Sequence, residues 1–327
     1  MRLVDPPPWP RVIAVVGGGR MGSGIAEAFA AGGVPVRVTD ATPELSVQAR
    51  ERVLARARSA VDKELIDAAL LDRVQSVRAC ESIAEAVAEA DLVVEAVAED
   101  LDIKDRVLAE IEAAVADDAV IATNTSSLPV DRLAQPLARP RRFVGMHWFN
   151  PPEWTPGVEV VAAPNSDPEV VERVVTFLRA LGKAPAVVKA STGFVANRLQ
   201  MALLCEAVRC VEDGIASPEE IDTVVRSSFG FRLPFFGPFQ IADMAGLDVY
   251  EAVMAQHRDG LGERFFIPEL LRERVARGEH GTSAGAGFYA YGDGEPEQLL
   301  NDRDERYAAL AQLLERLPPQ DFTARED

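Results

Sequence analysis

A glycine-rich loop set between an apolar run and a helical pattern constrains this chain more than any other feature. Val12 to Val16 is a continuous apolar run that enters Gly17-Gly18-Gly19-Arg20-Met21-Gly22, and Ser23 to Ala31 follows with Ile25, Ala28 and Phe29 at helical spacing. Strand, glycine turn and helix in that order make a dinucleotide cradle. Gly17 permits the tight turn, Gly19 lets the backbone approach a pyrophosphate, and Gly22 lets the helix pack closely on the strand. The helix N-terminus adds free N–H groups and the positive end of its dipole. Glycine-rich turns are common, so the loop needs its context. A second apolar run, Val34 to Thr39, supplies it by ending in Asp40, about 20 residues beyond the loop. Asp40 is expected to accept hydrogen bonds from the adenosine ribose hydroxyls. Its charge repels a 2'-phosphate, and Ala41-Thr42-Pro43 offers no arginine to receive one, so NAD is expected over NADP.

Further strand candidates recur at Asp91 to Val97, Ala119 to Thr123 and Phe143 to His147, separated by alanine-rich helical stretches such as Ser82 to Ala90 and Lys104 to Val115. Strands alternating with helices predict an α/β chain on a doubly wound parallel sheet, Rossmann-like. Ligands of such sheets sit beyond the carboxyl ends of the strands, near the point where strand order reverses. Glu95, Glu99, Asn124, Ser126 and His147 all fall at or just past such ends. Near Lys189 the rhythm stops. From Phe194 onward the chain reads as helices, Val195 to Asp213 and then Ser217 to Ser228, the latter opened by Ser217-Pro218-Glu219-Glu220, an N-terminal signature. The expected division is a flexible tail over 1–10, an NAD-binding domain over 11–189 and an all-helical domain over 190–327, with an amphipathic helix at Arg303 to Leu317 and a polar terminus from Pro318.

The 327 residues, 48% hydrophobic and 26% charged, suffice for two ordinary globular cores. A formal charge of -18 argues against nucleic acid, whose binding needs clustered lysine and arginine. The N-terminus lacks a basic region followed by an apolar core, and no apolar run approaches the roughly 20 residues of a membrane span, so a cytoplasmic protein without membrane partners is expected. Cys80, Cys205 and Cys210 are odd in number and lack CxxC spacing, which fits thiols in a reducing compartment, and metal chemistry is not expected. An anionic substrate must find a local basic site on so acidic a chain. On a helix from about Pro43, Arg52, Arg56, Ser59 and Lys63 share one face; the stripe reads equally as a solvated surface balanced by Glu51, Asp62 and Glu64.

Of three histidines, His147 has the informative setting. The run from Arg142 to Met146 feeds it as a strand would, Asn150-Pro151-Pro152 forces a turn, and Val158 to Val161 is a second extended run. That geometry returns Glu159 toward the imidazole. A carboxylate on one ring nitrogen fixes the tautomer and stabilises the imidazolium formed when the other nitrogen takes a proton. A buried core histidine is the plainer alternative. His257, in a charged helical stretch, and His280, in a glycine-rich loop, carry no comparable partner.

These segments together resemble the L-3-hydroxyacyl-CoA dehydrogenase family, from Val12 to about Tyr291. VVGGGRMGSGIA, DLVVEAVAEDLDIK, NTSSLP, GMHWFNP with VEVV, STGFVANRL, GPFQIADMAGLD and GAGFYAY carry the resemblance. It implies that His147 is the general base with Glu159 as its partner, and that Ser126 and Asn197 hold the substrate oxygens. Read alone, Ser126 is a turn residue and Asn197 a polar helix position. By the same resemblance Gly17, Gly19, Met21, Gly22, Asp40, Glu99, Lys104, Ser126 and Asn150 line the NAD site, and the chain pairs as a homodimer through its C-terminal domain. The implied reaction is NAD-dependent conversion of an (S)-3-hydroxyacyl thioester, on CoA or a carrier protein, to the 3-keto form. Arg52, Arg56 and Lys63 are the candidate contacts for that carrier.

Three departures bear on the substrate. Ser283 stands where acyl-CoA enzymes often carry a lysine, Pro-Pro-Glu-Trp-Thr-Pro follows Asn150 where smaller apolar residues are usual, and Arg56 falls near an expected serine. Glu153 and Trp154 are candidates to reshape the pocket. HWxNPP and DMAGLD also resemble relatives that oxidise small hydroxy compounds free of CoA, among them dehydrogenases of pyridoxine breakdown, carnitine and gulonate. A small free hydroxy acid or hydroxymethyl compound is therefore the alternative substrate, and a non-catalytic, crystallin-like NAD-binding protein is a third reading.

Overall fold

A computed structural model describes residues 7–319. The chain forms two compact units that divide between Ala202 and Leu203. The first unit opens with β1 (Ile13–Val16), α1 (Arg20–Ala31), β2 (Val36–Thr39), α2 (Pro43–Asp62), α3 (Ala68–Gln75), β3 (Arg78–Ala79) and α4 (Ile83–Val87). It continues with β4 (Leu92–Glu95), α5 (Leu101–Ala114), β5 (Val120–Thr123), α6 (Val130–Ala134), β6 (Phe143–Trp148), β7 (Gly157–Ala162), α7 (Pro168–Ala180) and β8 (Ala184–Lys189). The eight strands form one sheet in the order β3-β2-β1-β4-β5-β6-β7-β8. Strand order reverses between β1 and β4, which is where such a sheet opens a ligand crevice.

Side chains alternate across each strand, and this period of two divides the apolar residues into two cores. Ile13 and Val15 pack with Phe29, Val38, Trp148 and Phe177 on one face. Ala14 and Val16 pack with Leu108, Ile111, Ile121 and Phe143 on the other. Burial on both faces explains why these strands read as continuous apolar runs.

The sheet is mostly parallel, with one reversal at its far side. β7 runs antiparallel to β6, with His147 directly opposite Glu159, and β8 then pairs parallel to β7. The expected strands agree with the observed ones to within a residue or two, while β3 and β8 are elements the sequence pattern did not announce.

In the second unit the remainder of α8 (Ala196–Glu212) is followed by α9 (Pro218–Ser227), α10 (Phe229–Arg232), α11 (Pro238–Ala245), α12 (Leu247–Leu261), α13 (Glu269–Ala276) and α14 (Glu295–Arg316). The domain boundary expected at 189/190 lies well before the division between the compact units, which falls inside α8. Ser217 caps α9 with the reciprocal Glu220 bond that its sequence predicts. α14 begins well before the expected Arg303 because Pro296 is compatible with a first helical turn.

Asp243 organises this unit. Its buried carboxylate accepts the N–H groups of Phe288 and Tyr289 at 2.9 Å each and the Tyr291 hydroxyl at 2.8 Å. A Cβ on Gly287 would lie 2.3 Å from Asp243 Oδ1, so only glycine lets this loop close over the carboxylate. That contact explains why GPFQIADMAGLD and GAGFYAY occur together. Of the expected tail, Trp9 packs edge-on against Phe177 and Pro10 is buried, while residues 1–6 lie outside the described residues, as does the expected polar terminus from residue 320.

Candidate active site and cofactor cradle

The glycine loop has the geometry its sequence implies. Gly17 has φ +98°, and a Cβ there would sit 2.6 Å from the Ala96 carbonyl carbon; a Cβ on Gly22 would sit 1.8 Å from the Gly17 carbonyl oxygen. A Cβ on Gly19 would meet nothing within 4 Å, so open space remains above the start of α1. Asp40 Oδ2 accepts the Gly18 N–H at 2.8 Å, tying the end of β2 to the loop. A cavity of about 400 Å³ lies here, lined by Gly17, Gly19, Asp40, Ile83, Val97 and Ile103 among others. Its apolar walls and single carboxylate suit an adenosine, and the residues present fit NAD.

His147 is the last residue but one of β6, three strands from β1 and therefore about 14 Å across the rim at the usual strand spacing of about 4.8 Å. Its ring is 4% exposed and lies between Phe149 and Phe194, with centroids 4.7 and 5.5 Å away. Nδ1 is 2.8 Å from Glu159 Oε2. Glu159 Oε1 accepts the N–H groups of Val195 and Ala196 at 3.0 Å each, at the start of α8. The carboxylate thus joins the imidazole to a helix N-terminus, whose donors and dipole suit an anion. Nε2 makes no hydrogen bond among the described residues.

The Asn124-to-Ser127 loop is organised by one carboxylate oxygen. Glu99 Oε1 accepts the Thr125 hydroxyl at 2.6 Å, the Ser126 and Ser127 N–H groups at 2.8 Å each, and the Ser127 hydroxyl at 3.0 Å. Burial works to raise the carboxyl of Glu99, but the Thr125 hydroxyl, these backbone donors and Lys104 outweigh it and hold it at about 2. Asn197 Nδ2 donates to the Ser126 carbonyl at 3.0 Å, so Ser126 and Asn197 do come together. Asn124 Oδ1 accepts the Trp148 N–H, joining the ends of β5 and β6.

Other expected site residues are placed differently. Lys104 is 1% exposed, with its ammonium 2.7 Å from Glu95 and 3.4 Å from Glu99, so it braces Glu99 from beneath instead of reaching open space. Glu95, placed at the rim by the sequence, is fully buried in that network and accepts the Thr123 hydroxyl. The basic stripe on α2 is largely engaged. Arg52 donates to the Gly18 carbonyl, Arg56 is ion-paired with Glu153 and Glu27, and Lys63 is exposed just past the helix end. Asn150 and Trp154 are exposed, while Glu153 points into the protein. His257 and His280 belong to the second unit, beside Phe265 and Asp248.

Sequence reasoning missed Glu27, Thr125 and Lys183. Glu27 left one signal, a carboxylate on a helix that must be buried on most sides once it follows a dinucleotide loop. Thr125 and Lys183 left none, because their partners are set by tertiary contact.

Two family models match in tandem: "3-hydroxyacyl-CoA dehydrogenase, NAD binding domain" over residues 12–191 and "3-hydroxyacyl-CoA dehydrogenase, C-terminal domain" over 193–291. The 5-formyl-3-hydroxy-2-methylpyridine 4-carboxylate 5-dehydrogenase of Mesorhizobium japonicum is 36% identical over 307 residues, covering 93% of this chain and 98% of that protein. The mitochondrial hydroxyacyl-coenzyme A dehydrogenase of Sus scrofa is 34% identical over 287 residues, covering 85% and 90%. Among solved structures, a 3-hydroxyacyl-CoA dehydrogenase from Archaeoglobus fulgidus superposes with a TM-score of 0.74 at 35% identity, covering 94% of this chain and 99% of that one. Cradle, buried His147–Glu159 pair and both family models agree, and the chain belongs to the 3-hydroxyacyl-CoA dehydrogenase family as an NAD-dependent oxidoreductase.

Proposed function

We propose that the chain oxidises the C3 hydroxyl of a 3-hydroxyacyl compound, with His147 as the general base. The buried His147–Glu159 pair at the rim of the NAD cradle carries this reading. NAD, when bound, accepts hydride from the carbinol carbon. The hydroxyl proton passes to His147 Nε2, the O–H electron pair forms the new carbonyl, and Glu159 balances the imidazolium. The Ser126 hydroxyl and the second N–H of Asn197 position the substrate oxygen without adding charge. Gly17, Gly19, Met21, Gly22, Asp40, Glu99 and Asn150 would line the cofactor, with Lys104 acting through Glu99.

For the acyl carrier, the family's thioester substrates favour CoA or a carrier protein. A specific observation favours the alternative, a small free hydroxy acid or hydroxymethyl compound: Arg52 and Arg56, expected to meet the carrier, already have partners inside the protein. A panel of 3-hydroxyacyl-CoA esters and free hydroxy acids, followed by NADH absorbance, decides between them. Turnover of thioesters alone supports the first reading, and turnover of free acids alone supports the second. If neither class is turned over, the reaction assignment falls.

The same reading includes a homodimer. α8 buries no residue within the chain, and Leu203, Leu204 and Val208 are exposed along it. Sedimentation equilibrium showing a monomer at micromolar concentration would refute this. The three cysteines are free and no described helix is long and apolar enough to cross a membrane, in keeping with the cytoplasmic location we propose.

A further inference from the structure

The turn between β6 and β7, Asn150 to Pro156, is fastened to the sheet and helices by charged groups that the reaction does not use. Glu153, 7% exposed, reaches away from solvent and pairs with Arg56 of α2; Arg56 Nε also lies 3.4 Å from Glu27 Oε2 on α1. Lys183, just before β8, donates to the carbonyls of Pro152 at 2.7 Å and Thr155 at 2.9 Å, with its ammonium 5.2 Å from the Trp148 ring centroid. The turn also sits hard on α1. A Cβ on Gly24 would lie 2.6 Å from Pro152 Cγ and 2.7 Å from Glu153 Oε2. Three elements distant in sequence, α1, α2 and the segment before β8, therefore grip one turn of seven residues.

A fully solvated loop has no use for such a grip. Burying two carboxylates beside one guanidinium is costly unless the geometry it fixes is needed. Glu27 shows the cost: burial, then the charge of Glu153, raise its carboxyl to about 7 against the opposing effect of Arg56. Oε2 of Glu27 and Oε2 of Glu153 both lack hydrogen-bond partners, as expected of a crowded carboxyl pair around one cation. What the turn carries is Asn150, two residues past Trp148 at the end of β6 and three before Glu153. The adenosine cavity lies three strands away, so this end of the rim meets the nicotinamide.

We propose that Glu153, held by Arg56, is a positioning residue that fixes the Asn150 turn against the nicotinamide end of the cofactor. This rests on the proposed placement of NAD across the rim from Asp40 to His147. The turn then offers one positioned hydrogen bond to the nicotinamide end, and Glu153 acts through the turn without touching cofactor or substrate. It also gives Glu153, one of the departures from the acyl-CoA pattern, a role inside the protein.

The test compares two ligands on the full chain, NADH and ADP-ribose, which share the adenosine and pyrophosphate but differ at the ring. Dissociation constants are measured for the wild type, Glu153→Ala, Glu153→Gln and Arg56→Met. Wild-type protein is expected to bind NADH more tightly than ADP-ribose. Glu153→Ala and Arg56→Met should weaken NADH about tenfold, the loss of one positioned hydrogen bond, and leave ADP-ribose within about twofold. Glu153→Gln, which keeps shape and one acceptor for Arg56, should recover most of the loss. A purely structural role would weaken both ligands together, and that result overturns the proposal, as does an unchanged ratio in both Glu153→Ala and Arg56→Met. Equal wild-type constants for the two ligands would instead refute the placement of the nicotinamide, and the proposal with it.

Discussion

Glutamine at position 27 should make the protein more stable at pH 8 and change little at pH 4. The Glu27 side chain is 2% exposed, and its carboxyl is raised from its ordinary 4.5 to about 7 by burial and by Glu153, with Arg56 opposing. The folded state therefore holds a proton that the unfolded chain releases near pH 4.5. Between pH 4.5 and 7 the native state binds more protons, so stability falls as pH rises through this window and is constant on either side. A shift of about 2.5 units at about 1.4 kcal/mol each gives a loss of about 3 kcal/mol. Glutamine cannot ionise, so Glu27→Gln removes the slope. Urea midpoints taken every half unit from pH 4 to 8.5, by circular dichroism, should converge near pH 4 and separate above pH 6, with the variant higher. Parallel curves would refute the argument, because they would mean that Glu27 titrates alike in folded and unfolded chains.

Two further outcomes follow from the geometry. His147→Ala should keep NADH affinity within about threefold, since the adenosine cavity is untouched, while turnover falls at least about 100-fold, the usual contribution of a general base; steady-state rates beside fluorescence titration check both halves. Asp243→Ala leaves the Phe288, Tyr289 and Tyr291 donors without their acceptor and should lower stability by about 3 kcal/mol, read as a lower urea midpoint.

The legible parts of this protein are those whose information is local. Gly17, Gly19 and Gly22 with Asp40 state a strand-turn-helix and a ribose contact within thirty residues, and the structure has the first in every detail. His147 and Glu159 are twelve residues apart around a proline turn, so antiparallel pairing alone brings them face to face. The α2 stripe failed as a guide because spacing on a helix shows which side chains align, not what covers them; Glu153, 97 residues beyond Arg56, decides that. Lys104 misled for a related reason. The resemblance assigned it to the cofactor site, but Glu95 and Glu99 draw its ammonium under the rim, where two carboxylates offset the cost of burial. β8 left little trace because four of its six side chains are exposed and none is fully buried.

Glu99 gathers four donors on a single oxygen and stays anionic down to about pH 2. Acidity at any level met in a living cell therefore leaves the Ser126 backbone untouched. Whatever rise or fall in turnover accompanies a change in acidity must originate elsewhere, and replacing Glu27 on α1 shows how much of it comes from the fastened turn.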